Sequence, residues 1–287
     1  MKFGIVCDSA ADLSRQELDA LGVTEVPIRV CLEDGSLPPL PEFYETLAQR
    51  RAPAVATVPP AVEQYAAAFD AILSRGLEVL CICMSQKFSG SCRAALQAGR
   101  GREDRVHVLD SQQASALEGI LVREAARLRD LDYSASRVLS LLEEICPTGH
   151  MLFTTRDLQY LIRSGILVGS RYADQAVQAI RPILHYHRGE LTVESVCRGQ
   201  RRSLHRLVNA AMECIRELGP EVENYIFCTG RGEDFPDYEE FVTGLRRRLE
   251  ESGLQPAGWV DVRIGAVIGA HTGPGPVGLG LIRRCDP

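Results

Sequence analysis

The chain lacks any unbroken apolar run of about eighteen residues, the length at which a helix begins to span a bilayer, so stable membrane insertion is not expected. It lacks the basic and apolar leader of a secretory signal, because its first residues run directly into Phe3-Gly4-Ile5-Val6-Cys7, and the expected compartment is the cytoplasm. Positive charge is not in excess. Lys and Arg number 32 against 38 Asp and Glu, a net charge of −6, whereas nucleic-acid binding needs clustered cations that displace counterions. No P-loop or other Mg²⁺–nucleotide motif occurs, so no nucleotide cofactor is expected. Ten cysteines are scattered without a C-x-x-C pair, and the closest two, Cys81 and Cys83, fall inside an apolar run. Zinc sites need paired ligands at tight spacing, so these thiols read as reduced and buried, acting as small hydrophobes. His185 and His187 would share one face of a strand. No third ligand lies near them in sequence, so no metal is expected.

What is present is an ordinary globular composition, with 45% hydrophobic and 24% charged residues over 287 positions, a length that favours two domains. The first half alternates short apolar runs, at residues 3–7, 78–84 and 106–109, with amphipathic stretches. Val62, Tyr65, Ala66, Phe69, Ile72 and Leu73 fall on one helical face after Pro59-Pro60, a second helix is expected near Ser91, and a third carries Leu117, Ile120, Leu121 and Ala125. This βαβ rhythm predicts an α/β fold with a parallel sheet. After a helix at 136–145 and Pro147 the pattern changes. A strand at 151–154, a helix at 157–162, a hairpin at 183–196 turning at Arg188-Gly189, and a long helix at 201–218 are expected. A strand at 225–228, a helix at 238–250 and a last strand at 261–270 complete a mixed, partly antiparallel layer. The expected domains are therefore residues 1–147 and 148–287, with a ligand cleft at their interface.

Candidate chemistry gathers at three strand-to-loop junctions rich in hydroxyls. These are Cys7-Asp8-Ser9-Ala10-Ala11-Asp12-Leu13, Ser85-Gln86-Lys87-Phe88-Ser89-Gly90-Ser91, and Gly269-Ala270-His271-Thr272-Gly273-Pro274-Gly275. Ligands in parallel α/β sheets bind beyond the carboxyl ends of the strands, where Asp8-Ser9, Ser85 to Ser91 and Asp110-Ser111 lie. Thr57, just before a helix start, Ser89, Ser91 beside Gly90, and the His271-Thr272 pair offer donors for a small anion. Gly273-Pro274-Gly275-Pro276-Val277-Gly278 matches G-x-G-x-x-G in form only. Its prolines leave no helix to meet a pyrophosphate, and no acidic ribose ligand follows. The alternative chemistry is a serine hydrolase using Ser89 as nucleophile and His271 as base, with Asp8 or Asp110 as the orienting carboxylate. Against it, the G-x-S-x-G elbow is absent.

The opening Asp8-Ser9-Ala10-Ala11-Asp12-Leu13 resembles the D-S-x-x-D-L signature of the DegV family, fatty-acid-binding proteins that serve as the carrier subunit of bacterial fatty acid kinase. Ser85 to Ser91 resembles that family's S-S-x-L-S-G-T loop, and Val108-Leu109-Asp110-Ser111 its V-x-D-S element. Arg181-Pro182-Ile183-Leu184 is similar to its K-P-I-L, and His271-Thr272-Gly273-Pro274-Gly275 to its H-T-G-P-G. Five matches in order span the chain from Ile5 to Gly278. The resemblance implies a two-domain α/β protein that buries one long-chain fatty acid, its carboxylate held by Thr57, Ser89 and the His271 region. It further implies a fatty acid kinase subunit as partner, which phosphorylates that carboxylate for phospholipid synthesis, so this chain would be a carrier and not an enzyme. Two departures stand out. The family's G-G-R-I appears as Ser164-Gly165-Ile166-Leu167, leaving Arg163 or Arg171 as substitutes, and T-S-Q-P-S is reduced to Thr57-Val58-Pro59-Pro60-Ala61. A basic run at Arg198, Arg201, Arg202 and Arg206 matches the segment that follows the hairpin in such carriers, and is the expected docking patch for a partner. Burying fourteen methylenes of a sixteen-carbon acid contributes about 11 kcal/mol before ordering costs. Neutral hydroxyls and amides then suffice to orient the head group.

Overall fold

The computed structural model describes residues 3–49, 55–166, 180–234 and 237–286. The first half runs β1 (Phe3–Asp8), α1 (Arg15–Leu21), β2 (Val23–Val26), β3 (Arg29–Leu32), α2 (Leu40–Gln49) and β4 (Val55–Val58). It continues with α3 (Val62–Leu73), β5 (Glu78–Cys83), α4 (Ser91–Ala98), β6 (Val106–Asp110), α5 (Ala116–Asp130) and α6 (Ala135–Ile145). The apolar runs form buried parallel strands, giving a four-stranded sheet in the order β2-β1-β5-β6. Helix boundaries follow local chemistry. Ser14 and Glu17 make a reciprocal capping box at the start of α1, and Gly22 ends it in the left-handed conformation at φ 60°.

The second half comprises β7 (His150–Thr154), α7 (Gln159–Arg163), β8 (Ile180–His187), β9 (Glu190–Arg198) and α8 (Gln200–Leu218). Then come β10 (Tyr225–Arg231), α9 (Asp237–Glu251), β11 (Gly258–Arg263), α10 (Ala266–Thr272) and β12 (Val277–Arg283). Its six-stranded sheet has the order β11-β10-β12-β7-β8-β9, parallel only between β10 and β11. The β8–β9 hairpin turns through Arg188 at φ 49° and Gly189 at φ 79°, the paired left-handed residues of a type I′ turn.

Helix α5 lies between the two sheets, touching β1 and β5 on one side and β10 and β12 on the other. Leu117, Leu121 and Leu128 are wholly buried, and even Glu118 of this helix is out of solvent, as an element covered by a sheet on each side requires. Each such Leu contributes about 1.5–3 kcal/mol of transfer free energy. One hydrophobic cluster thus runs from Phe3 and Ile5 through Ile120 to Cys228 and Ile282, across both sheets.

Two expectations need correction. Residues 261–270 do not form one strand: β11 stops at Arg263 and the chain coils into α10, so His271 ends a helix, not a strand. Short apolar runs carry no decisive periodicity, and the Gly265 amide is held by Asp12 at 2.9 Å, which starts a helix there. The second correction concerns Thr57, which lies on β4, paired with Val30 of β3 in a separate two-stranded ribbon. Helix α3 starts only at Val62, and the Ala61 amide is taken by Gln64, so that helix end is not what frames Thr57.

Candidate functional site

The loops after β1, β5 and β6 are knitted together by carboxylates, of which Asp8 is buried. Asp8 accepts from the amides of Ala10 and Met84, both at 3.0 Å, and burial pushes its carboxyl up to about 6. Asp110 accepts from the amides of Gln86 at 3.2 Å and Gln112 at 3.1 Å. Asp12 reaches outward, accepting from the Gly265 amide at 2.9 Å and the Ser115 hydroxyl at 2.6 Å, and so anchors the start of α10 to these loops. Tyr186 of β8 completes the clamp, its hydroxyl donating to Gln112 O at 3.0 Å and its ring lying 4.8 Å from that of Phe88.

Two cavities meet here. The larger, about 350 Å³, is largely apolar, with Met151, Phe153, Leu161, Ile166 and Leu279 among its walls. The smaller, about 300 Å³, is polar and lies against Thr57, Ser89, Gly90, Arg93 and Gln86. Met84, Lys87, Phe88 and His271 line both, so the apolar chamber and the polar one share these four side chains as a common wall. That size and that division suit an amphipathic small molecule with one polar end.

His271 Nε2 lies 3.0 Å from Thr57 Oγ1, while its Nδ1 is buried without a partner. Burial pushes its pKa down, favouring the neutral ring. In one tautomer Thr57 donates to Nε2 and the Nδ1–H is unspent; in the other the ring donates to Thr57 and the threonine proton is unspent. Either way the pair keeps one donor for a ligand. Ser89 Oγ sits 2.9 Å from Ser91 Oγ and accepts the Ser91 amide at 3.2 Å, at the first turn of α4.

The other expected positions fall differently. Ser91 is fully buried and lines neither cavity, so it supports Ser89 from behind. Gly90 precedes α4 and packs against Pro59, which holds the end of β4 to this loop. Thr272 lines the apolar cavity, but its hydroxyl donates to Ile268 O at 3.0 Å within its own helix. The hydrolase geometry is not assembled: Ser89 pairs with Ser91 and His271 with Thr57, leaving Ser89 without the base a nucleophile needs. Arg198 ends β9; Arg201 is exposed and pairs with Glu240 of α9 at 3.2 Å; Arg202 is exposed, and Arg206 donates to Ser195 Oγ at 3.2 Å. Of the suggested substitutes for the missing arginine, Arg163 ends α7 and Arg171 lies outside the described residues.

Sequence reasoning passed over two cations. Lys87 and Arg93 stand exposed at the rim of the polar cavity, so its field is more positive than hydroxyls and amides alone provide. Lys87 sits inside one quoted motif and Arg93 three residues past Gly90, one helical turn on, so both were within reach. His185 and His187, read from the sequence as having no third ligand nearby, stand beside His150 through strand pairing, and α8 brings Cys214 within 4.8 Å of a donor atom of His150 and of His185.

The model of the DegV family, described as an uncharacterised protein family, matches residues 2–284, and the chain belongs to that family. A DegV domain-containing protein of Deinococcus radiodurans is 29% identical, the match covering 98% of each chain. Among solved structures, a stearic acid-binding protein from Eubacterium ventriosum superposes with a TM-score of 0.87 at 26% identity, covering 98% of both chains. A DegV family protein from Thermus thermophilus, described for its fatty acid binding, gives 0.84 at 25% identity, covering 99% of this chain and 100% of that one.

Proposed function

We propose that this chain binds one long-chain fatty acid, its alkyl tail in the apolar cavity and its carboxylate in the polar one. The observation that carries this reading is the shared wall of Met84, Lys87, Phe88 and His271, which joins an apolar chamber to an anion-suited pocket. The description of the E. ventriosum relative as a stearic acid-binding protein and the likeness of the fold support it. Thr57, Ser89 and His271 supply neutral donors, with Lys87 and Arg93 adding positive potential at the rim. Tail burial dominates the affinity, at about 0.8 kcal/mol per methylene, and the head-group contacts set direction. With its carboxyl end in the pocket that Lys87 and Arg93 border, the acid is placed for a separate ATP-dependent kinase to convert it to acyl phosphate, in keeping with the family resemblance. The protein acts in this scheme as a carrier.

Mass spectrometry of organic extracts, together with native mass spectrometry of the purified chain, tests the binding step. One fatty acid per chain is expected. A chain that emerges empty and takes up no C14–C18 acid on incubation overturns the reading. The carrier step is tested separately, by ATP-dependent acyl-phosphate formation with the cognate kinase.

A further inference from the structure

On the opposite side of the six-stranded sheet from the lipid cavity, His150 pairs in register with His187 and Leu152 with His185, so these four side chains share one face. Met151 and Tyr186, their partners of opposite parity, line the cavity on the other face. The His150 and His187 rings stack with centroids 3.8 Å apart, and His185 lies 5.3 Å from His150. Helix α8 covers this face and contributes the buried thiol of Cys214. One donor atom from each of His150, His185 and Cys214 lies within 4.8 Å of the others.

We propose that His150 Nδ1, His185 Nε2 and Cys214 Sγ form a binding site for a zinc-class cation, separated from the lipid cavity by the thickness of the sheet. Three geometric facts carry this. First, the two ring nitrogens already stand 3.1 Å apart. Two nitrogens at about 2.0–2.1 Å from a tetrahedral ion are separated by about 3.3 Å, so the imidazoles need almost no movement. Second, His185 turns its Nδ1 to Glu194 Oε1 at 3.4 Å, the carboxylate–histidine arrangement that fixes the tautomer and frees Nε2 for a metal. Third, His187 Nδ1 is engaged by Gly149 O at 2.8 Å, so the stacked ring acts as a wall that orients His150. The thiol lies within 4.8 Å of a donor nitrogen of each histidine and must move closer to reach the Zn–S distance of about 2.3 Å, and three protein ligands leave the fourth position of a tetrahedral ion for water. A donor set of two imidazoles and one thiolate favours zinc over calcium or magnesium, which take oxygen ligands.

The test is a Co²⁺ titration of the full chain after chelator treatment, followed by competition with Zn²⁺. One Co²⁺ per chain with a near-ultraviolet thiolate-to-metal charge-transfer band, displaced by Zn²⁺, is expected. Cys214→Ser abolishes the band, whereas Cys31→Ser and Cys197→Ser, which alter partly exposed thiols, keep it. Glu194→Gln leaves the band but weakens binding by about 10–100-fold, as loss of a supporting carboxylate does. Where Cys214→Ser fails to fold, His150→Gln with His185→Gln takes its place. Absence of the band in the parent chain, or its survival in Cys214→Ser or in the double histidine variant, overturns the proposal.

Discussion

Asp12 offers a sharp test of how the loops are held, because its carboxylate joins the β1 loop to the start of the helix that carries His271. The residue is half-buried, and desolvation of its carboxyl raises it from 3.8 to about 7 despite the bonds from Ser115 and Gly265 that favour its ionised form. The folded state therefore holds a proton that the unfolded chain releases near pH 4. Stability from this group is complete below about pH 4 and is lost as the pH rises through about 7. Over pH 5 to 7 the loss is about 2–3 kcal/mol, at about 1.4 kcal/mol per unit of pH. Asp8, raised to about 6, and Glu118, raised well above the usual range by burial, act in the same direction. Asn is the informative replacement. It keeps an acceptor for the Gly265 amide, its NH₂ donates to Ser115 Oγ, and it tolerates the left-handed backbone at φ 51°. Urea unfolding of the parent chain and Asp12→Asn at pH 5, 6, 7 and 8 should show the two curves diverging by about 2–3 kcal/mol, the variant gaining at high pH. Parallel curves would mean that Asp12 is ionised in the folded protein and that the burial argument is wrong.

Gly265→Ala places a Cβ 2.7 Å from Asp12 Oδ1 and should cost about 1–3 kcal/mol while lowering lipid content, read by thermal melting and extraction. Tyr186→Phe removes the hydroxyl bonded to Gln112 O and should cost about 1 kcal/mol in urea, with the fold intact by circular dichroism. Thr57→Ala combined with Ser89→Ala should weaken fatty acid binding by roughly 10²–10⁴-fold in calorimetry, from about 1.5–3 kcal/mol for each of the two charged hydrogen bonds removed; normal affinity would mean that the carboxylate lies elsewhere. Arg201→Glu with Arg202→Glu should retain lipid yet slow acyl-phosphate formation by the kinase, most strongly at low salt. Unchanged phosphorylation would return these arginines to ordinary surface charge.

The parallel sheet was legible because strands buried on both faces are continuous apolar runs, as at β1 and β5, and helices α3 and α5 announced themselves through their apolar faces. Strands β2, β3 and β4 were not, since four-residue segments such as Val23-Thr24-Glu25-Val26 alternate too briefly to stand out. Strand β12 was hidden by Gly278 and Gly280, which dilute its apolar signal, although it pairs with both β10 and β7 inside the sheet. At the site, what could be read was the identity of the donors, because each motif is local. Their grouping was only partly legible. Thr57 and His271 stand 214 residues apart, and their contact depends on a ribbon and a helix that the pattern does not announce. His150 and Cys214 meet only through strand register and the rotation of α8, and neither is encoded by spacing. A motif therefore tells which groups can do the chemistry. Topology decides which unspent donor faces which cavity, and that is why Thr272, adjacent to His271, has its hydroxyl committed within its own helix while Lys87 stands at the rim.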